Sequence, residues 1–230
     1  MTPTRLIDAT PVTDDWWLIR LPWADPAPRP GQWLWMEKTG QRRCLPVRDA
    51  DAGEGWLAGV LPAACLPGDL GPGTRVGVSV LHGEPVSAAP GDRLLLVGED
   101  LGIGPALALA ERQADQVQLL LLGGRHGVPA RLAPSRFLVP GLADTGIAGV
   151  AGLEEQGVAA RVASAEERPG VYEGPIFDLV GRYLSEMTDA DRRQLRLIAF
   201  GPWGELQQRR DALTAGLRDV QVVELPTATH

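Results

Sequence analysis

The 230-residue sequence predicts an α/β protein with an added β module: an N-terminal antiparallel six-stranded β-barrel followed by a Rossmann-like parallel α/β domain. Three observations predict it. Before the segment Glu84–Gly91 the chain carries short β-type runs broken by Pro and Gly. From Gly91 onward apolar strand-like runs alternate with helical stretches. At the start of that second part, Arg93-Leu94-Leu95-Leu96-Val97 leads through the turn Gly98-Glu99-Asp100-Leu101-Gly102-Ile103-Gly104-Pro105 into an apolar helical segment.

In the first part the runs are Trp16–Trp23, Gln32–Glu37, Arg42–Arg48, Gly55–Leu61 and Arg75–Leu81, and their spacing suits a small antiparallel barrel. Six of the seven tryptophans (Trp16, Trp17, Trp23, Trp33, Trp35, Trp56) fall here and are expected in its core and rim. The boundary is placed at Glu84–Gly91, rich in proline and small residues, giving domains over 1–88 and 89–230. In the second part the strands are expected at Arg93–Val97, Val117–Leu122, Ala159–Ala163, Arg196–Phe200 and Val220–Leu225. The helices are expected at Pro105–Gln116, Pro175–Met187 and Gly204–Leu217, with a weaker one near Ala143–Gln156. Alternating strand and helix implies a parallel sheet covered on both faces, with ligands beyond the carboxyl ends of its strands. Three turns fall there: Gly98–Pro105, Gly123-Gly124-Arg125 and Gly201-Pro202-Trp203. In the first, proline at the start of a helix and the positive helix end suit an anion such as a phosphate, yet two carboxylates occupy the turn.

Composition removes several function classes. A net charge of −7 argues against nucleic acid and anionic membrane surfaces. No apolar run reaches the length of a membrane span, and the acidic N-terminus lacks a signal-peptide layout, so a cytoplasmic location without membrane insertion is expected. Two cysteines, Cys44 and Cys65, make no disulfide framework and cannot hold a four-cysteine cluster. Three scattered histidines give no metal site.

A barrel followed by this sheet, with these turns in this order, resembles the ferredoxin–NADP reductase superfamily over nearly the whole chain, and within it the electron-transfer subunit of dihydroorotate dehydrogenase and related flavin reductases. Pro30-Gly31-Gln32-Trp33-Leu34 is similar to the Pro-Gly-Gln-aromatic strand that opens the flavin site. Arg42-Arg43-Cys44-Leu45-Pro46-Val47 is similar to Arg-x-(Tyr/Ile/Leu)-Ser, and Gly98–Pro105 to Gly-Gly-Gly-x-Gly-Ile-(Ala/Gly)-Pro. Gly123-Gly124-Arg125 is similar to Gly-x-Arg, and Phe200-Gly201-Pro202 to Cys-Gly-Pro. The resemblance implies FAD or FMN in the barrel, NAD(P)H as donor on the sheet domain, and a partner protein that accepts electrons. It assigns cofactor binding to Arg43, Cys44, Leu45, Pro46, Gly98, Leu101, Gly102, Ile103, Gly104, Arg125, Gly201 and Pro202. It assigns no catalytic side chain, because the chemistry belongs largely to the flavin.

The departures fall on chemical positions. Pro46 replaces a serine and offers neither hydroxyl nor backbone N–H to a flavin, a loss worth roughly 1–2 kcal/mol. Between the barrel strands, Leu61–Leu70 has no counterpart of the Gly-(Ser/Thr) pair that binds the FAD pyrophosphate. Glu99 and Asp100 stand where the family has glycines. Two like charges about 4 Å apart repel by roughly 4 kcal/mol at an effective dielectric near 20, about three decades in affinity. Asp100 is also expected to cap the helix beginning near Leu101. Glu166 and Glu167 stand where a 2′-phosphate of NADP would lie, so NADP specificity is not expected. Phe200, in place of a cysteine, is expected in the core, with Trp203 packing beside it or covering a pocket. The sequence stops after its final strand without a cysteine-rich iron–sulfur segment, so an acceptor is expected to meet the flavin directly. Two functions follow: a flavin-dependent oxidoreductase moving electrons between pyridine nucleotide or partner and flavin, or a reductase-like binding or regulatory protein that has lost nucleotide chemistry.

Overall fold

The computed structural model describes residues 1–24, 26–202 and 215–227. Its N-terminal part holds eight strand segments: β1 (Thr2–Arg5), β2 (Asp8–Thr13), β3 (Trp16–Pro22), β4 (Trp33–Lys38), β5 (Gln41–Pro46), β6 (Asp49–Asp51), β7 (Trp56–Pro62) and β8 (Arg75–Val78). They form two antiparallel four-stranded sheets, ordered β1-β8-β4-β5 and β2-β3-β7-β6. Two chain stretches cross from one sheet to the other. At the first corner Leu6 N–H donates to Thr74 O, on the side of β8, while Ile7 N–H donates to Arg20 O of β3. At the second, Val47 N–H donates to Gln32 O and Arg48 N–H to Ala58 O. With β1–β2 and β5–β6 each counted as one bent strand, the module is the six-stranded antiparallel barrel expected from the sequence. The stretch that becomes β1–β2 escapes periodicity, because prolines at Pro3 and Pro11 and exposed residues interrupt it. Trp16 is fully buried, whereas Trp17, Trp23, Trp33 and Trp35 pack partly buried around the barrel core.

The C-terminal part is a six-stranded sheet of β9 (Arg93–Glu99), β10 (Val117–Gly123), β13 (Ala160–Ser164), β14 (Tyr172–Glu173), β15 (Leu195–Gly201) and β16 (Asp219–Glu224). Every pairing is parallel, and the order is β14-β13-β10-β9-β15-β16. Parallel strands buried on both faces read as continuous apolar runs, as Leu94–Val97 and Leu119–Leu122 do. Leu94 and Leu96 face α1 (Ile103–Arg112) and the barrel, while Leu95 and Val97 face α3 (Ile176–Ser185). The first of these cores runs without a break from barrel residues such as Leu34 and Leu45 to Leu101, Ile103 and Phe200.

The weaker helix expected near Ala143–Gln156 is corrected. Only α2 (Ala151–Glu155) is helical, and the residues before it form β12 (Ala148–Val150), paired antiparallel with β11 (Leu132–Pro134). Gly146, at φ +110°, and Gly149 interrupt the helical pattern, and Ser135 N–H donates to Ile147 O instead. A short α4 (Asp189–Arg192) is capped by Thr188. The helix expected over Gly204–Leu217 and the position of Trp203 lie outside the described residues, apart from its last residues.

The stretch between barrel and sheet is pinned by Asp92, which is 6% exposed. Its carboxylate accepts from Ala89 N–H (2.9 Å), Arg196 (3.0 Å) and Arg218, and Arg196 also donates to Ser87 O. Burial pushes this carboxyl up, but the hydrogen bonds from Arg218, Ala89 and Arg196 outweigh it and hold Asp92 below its ordinary value. Among the described residues no helix is long and apolar enough to cross a membrane.

Candidate functional site

Sheet topology creates a crevice where neighbouring connections leave in opposite directions, here between β9 and β15. A cleft of about 420 Å³ opens beside it, at the carboxyl ends of β9, β10 and β13. Glu99 and Asp100 line one wall, Gly123-Gly124-Arg125 the floor, and Ala163–Ala165 with the start of α3 at Gly174–Ile176 the far side. Pro202 closes the end near β15. This volume lies within the range of small-molecule pockets.

Asp100 organises the cleft. It sits at φ +47°, a left-handed conformation that asparagine and aspartate tolerate better than other non-glycine residues. The conformation turns its carboxylate across the cleft, where Oδ1 accepts the Arg125 backbone N–H at 3.0 Å. Gly124 makes the approach feasible, because a Cβ there would lie 2.7 Å from the same oxygen. The expectation that Asp100 caps the following helix is therefore corrected. Gly102 precedes α1 with no side-chain cap, and the Asp100 carboxylate serves the turn after β10.

The remaining residues of the central turn face inward. Gly98, Leu101, Gly102, Ile103 and Gly104 are all buried. A Cβ on Gly102 would stand 2.0 Å from Phe200 O, and one on Gly98 2.8 Å from the Ala106 side chain. These glycines permit close packing of turn, helix and strand. Phe200 is fully buried, as expected for core, and Gly201 is buried beside Glu99. Arg125 is exposed and lines the cleft with Pro202. Glu166 lies outside it: its N–H donates to Ser164 Oγ and its carboxylate meets Arg168 at 3.3 Å. Arg168 also reaches Asp15 of the barrel, at 3.6 Å.

The residues assigned to a flavin by resemblance are engaged elsewhere. Arg43 donates through Nε to Cys65 O (2.6 Å), and through its other nitrogens to Arg42 O and Gln41 Oε1. Cys65 ends a single 3-10 turn, Ala63–Cys65. Cys44 and Leu45 have no exposed surface and Pro46 is buried. Leu45 packs over Gly59, where a Cβ would fall 2.7 Å from Leu45 Cδ1. From the opposite side, a Cβ on Gly104 would lie 2.7 Å from Val60 Cγ2. Arg48–Glu111 (2.8 Å), Arg112–Asp49 (2.6 Å) and the Trp16 indole donating to His126 O (2.8 Å) tie the same seam. With the guanidinium spent on backbone carbonyls and the seam filled by side chains, these residues do not fit a flavin between β5 and α1. Arg43, Cys44, Leu45 and Pro46 are part of neither described cleft.

A second cleft, of about 640 Å³, lies where the barrel meets the outer edge of β16. It has no signature in the sequence. Its walls come from Trp33 and His82 on one module and Gln221–Glu224 on the other, and no local pattern links those segments. Among the described residues no group of three or more His, Cys, Asp or Glu side chains is arranged to hold a metal ion.

No protein-family model and no curated protein matches the sequence. Solved structures do match in fold. The flavohem-like FAD/NAD-binding domain of nitric oxide dioxygenase from Vibrio cholerae O1 biovar El Tor aligns at TM-score 0.67 and 15% identity, over 97% of this chain and 99% of that one. The ferredoxin reductase of carbazole 1,9a-dioxygenase aligns at 0.66 and 17%, over 97% of this chain and 68% of that one. The cytochrome P450 reductase from Amycolatopsis aligns at 0.63 and 17%, over 96% and 68%. The two-module architecture of this chain is thus that of the ferredoxin reductase-like FAD/NAD-binding domains.

Proposed function

From a chain with the ferredoxin reductase-like fold, we propose a binding or regulatory module that has given up flavin and dinucleotide chemistry and keeps a small-ligand cleft at the carboxyl ends of its strands. One observation carries this reading: the Asp100 carboxylate, placed by a left-handed backbone, accepts the Arg125 N–H and so fixes a negative charge at the floor of the cleft. Glu99 adds a second carboxylate to the same wall. An anionic ligand meets two carboxylates on that wall against the single guanidinium of Arg125 among the lining residues, a net repulsion, whereas an uncharged small molecule meets Gly124, Ala163 and the buried Ser164 without it. The spent Arg43 and the filled seam between β5 and α1 support the same reading.

The test is the visible spectrum of freshly purified protein, followed by titration with FAD, FMN and NADH. A colourless preparation that ignores all three agrees with the proposal. A flavin band that NADH bleaches overturns it and supports a second reading. That reading is a flavin-dependent oxidoreductase passing electrons from NAD(P)H to a partner protein, and the whole-length fold match to an FAD/NAD-binding domain favours it.

A further inference from the structure

We propose that the cleft between the barrel and the outer edge of β16 binds an organic cation, an amine or guanidinium-type group carried on a flat apolar body. The site shares no lining residue with the cleft at the strand ends. Its volume of about 640 Å³ suits a small organic molecule.

One wall is aromatic and held in place. Trp33 and His82 stack with ring centroids 4.5 Å apart and planes 19° apart, and Trp35 meets Trp33 edge-on at 5.3 Å. The backbones of Trp33 and His82 exchange hydrogen bonds of 3.0 and 2.8 Å. Gly31 and Gly83, both at positive φ, let the two loops close on each other, since a Cβ on Gly83 would stand 2.5 Å from Gly31 O. A rigid aromatic surface is costly to leave facing water and needs no reordering when a ligand covers it.

The rim supplies charge of one sign. Glu84 comes from the barrel side and Glu224 from the end of β16. Both are exposed, and neither has an ion-pair partner among the described residues. Behind the cleft Arg196 holds Gln221 Oε1 at 2.7 Å and is itself met by Asp92 at 3.0 Å and Asp219 at 3.1 Å. Its charge is therefore compensated before it reaches the cleft. Aromatic surface flanked by carboxylates attracts a cation through the ring quadrupole and through charge together.

The test uses benzamidine as probe and benzamide as its uncharged counterpart, with the full chain and calorimetric or saturation-transfer detection at low ionic strength. Benzamidine is expected to bind saturably and at least about tenfold more tightly than benzamide. The double variant Glu84→Gln/Glu224→Gln should lose most of that preference while melting like the parent protein, because both side chains are exposed. Equal binding of the two probes, no saturable benzamidine binding, or a preference unchanged in the double variant would each overturn the proposal. So would a preference lost in Glu99→Gln/Asp100→Asn and kept in Glu84→Gln/Glu224→Gln, since that places the cation in the other cleft.

Discussion

Replacing Asp100 separates charge from shape at the cleft. Asp100→Asn keeps the side-chain outline and a residue type that tolerates φ +47°, but removes the negative charge. Asp100→Gly also removes the side-chain oxygen that accepts Arg125 N–H and frees that donor. The Coulomb term between the carboxylate and one phosphate charge about 4 Å away is roughly 1 kcal/mol in bulk water and about 4 kcal/mol at an effective dielectric near 20. A half-buried site falls between these, so nucleotide affinity should rise by roughly 5- to 1000-fold. We expect NADH to bind Asp100→Asn at least about fivefold more tightly than wild type, and Asp100→Gly at least as tightly as Asp100→Asn. The structural cost runs the other way. Losing the hydrogen bond from Arg125 N–H removes about 1.5–3 kcal/mol, and relief of the left-handed aspartate in the glycine variant returns about 1 kcal/mol. The assay is calorimetric titration with NADH at low salt, repeated at 0.5 M salt, where the gain in Asp100→Asn should shrink. If both variants melt as folded proteins and bind NADH no more tightly than wild type, the Asp100 charge does not guard the cleft.

Other expectations follow from the same geometry. Gly104→Ala should destabilise the protein, because its Cβ would meet Val60 Cγ2 at 2.7 Å. Overpacking of about 1–3 kcal/mol outweighs the helix propensity gained, and the loss should show as a fall in Tm of about 2–4 °C per kcal/mol. Burial pushes both thiols up, Cys44 far more than the partly exposed Cys65, which Arg43 draws back down. In native protein a thiol reagent should therefore modify Cys65 alone and slowly, with Cys44 reacting only on unfolding; rapid reaction of both would contradict the burial. Asp92 has its carboxyl held below the ordinary value, so its contribution is fully present above the unfolded carboxylate pKa and is lost as pH falls through the folded one. Acid titration of stability should accordingly show a loss below about pH 4 that is smaller in Asp92→Asn. A variant matching wild type in its acid limb would place the linkage elsewhere.

Much of the architecture is legible along the chain because it depends on neighbours. The apolar run Leu94–Val97, the glycine turn after it and the helix opening at Pro105 announce a parallel strand and its crossover within twenty residues. The Pro- and Gly-broken runs before residue 84 announce the barrel in the same way. Glu99 and Asp100 are likewise visible as misplaced acids in a turn shaped for an anion. What the strand order alone decides is where such side chains go. Asp100 looks locally like a helix cap, but β10 lies beside β9 and offers Arg125 N–H twenty-five positions away. Arg43 looks like a phosphate ligand, but the 3-10 turn at Cys65 folds back and takes its guanidinium. The aromatic and acidic cleft at β16 joins residues near 33, 82 and 222, which become neighbours only when the barrel docks on the sheet edge. Periodicity and turn chemistry are local properties, whereas a hydrogen bond or cleft between distant segments exists only once tertiary packing has brought both sides together.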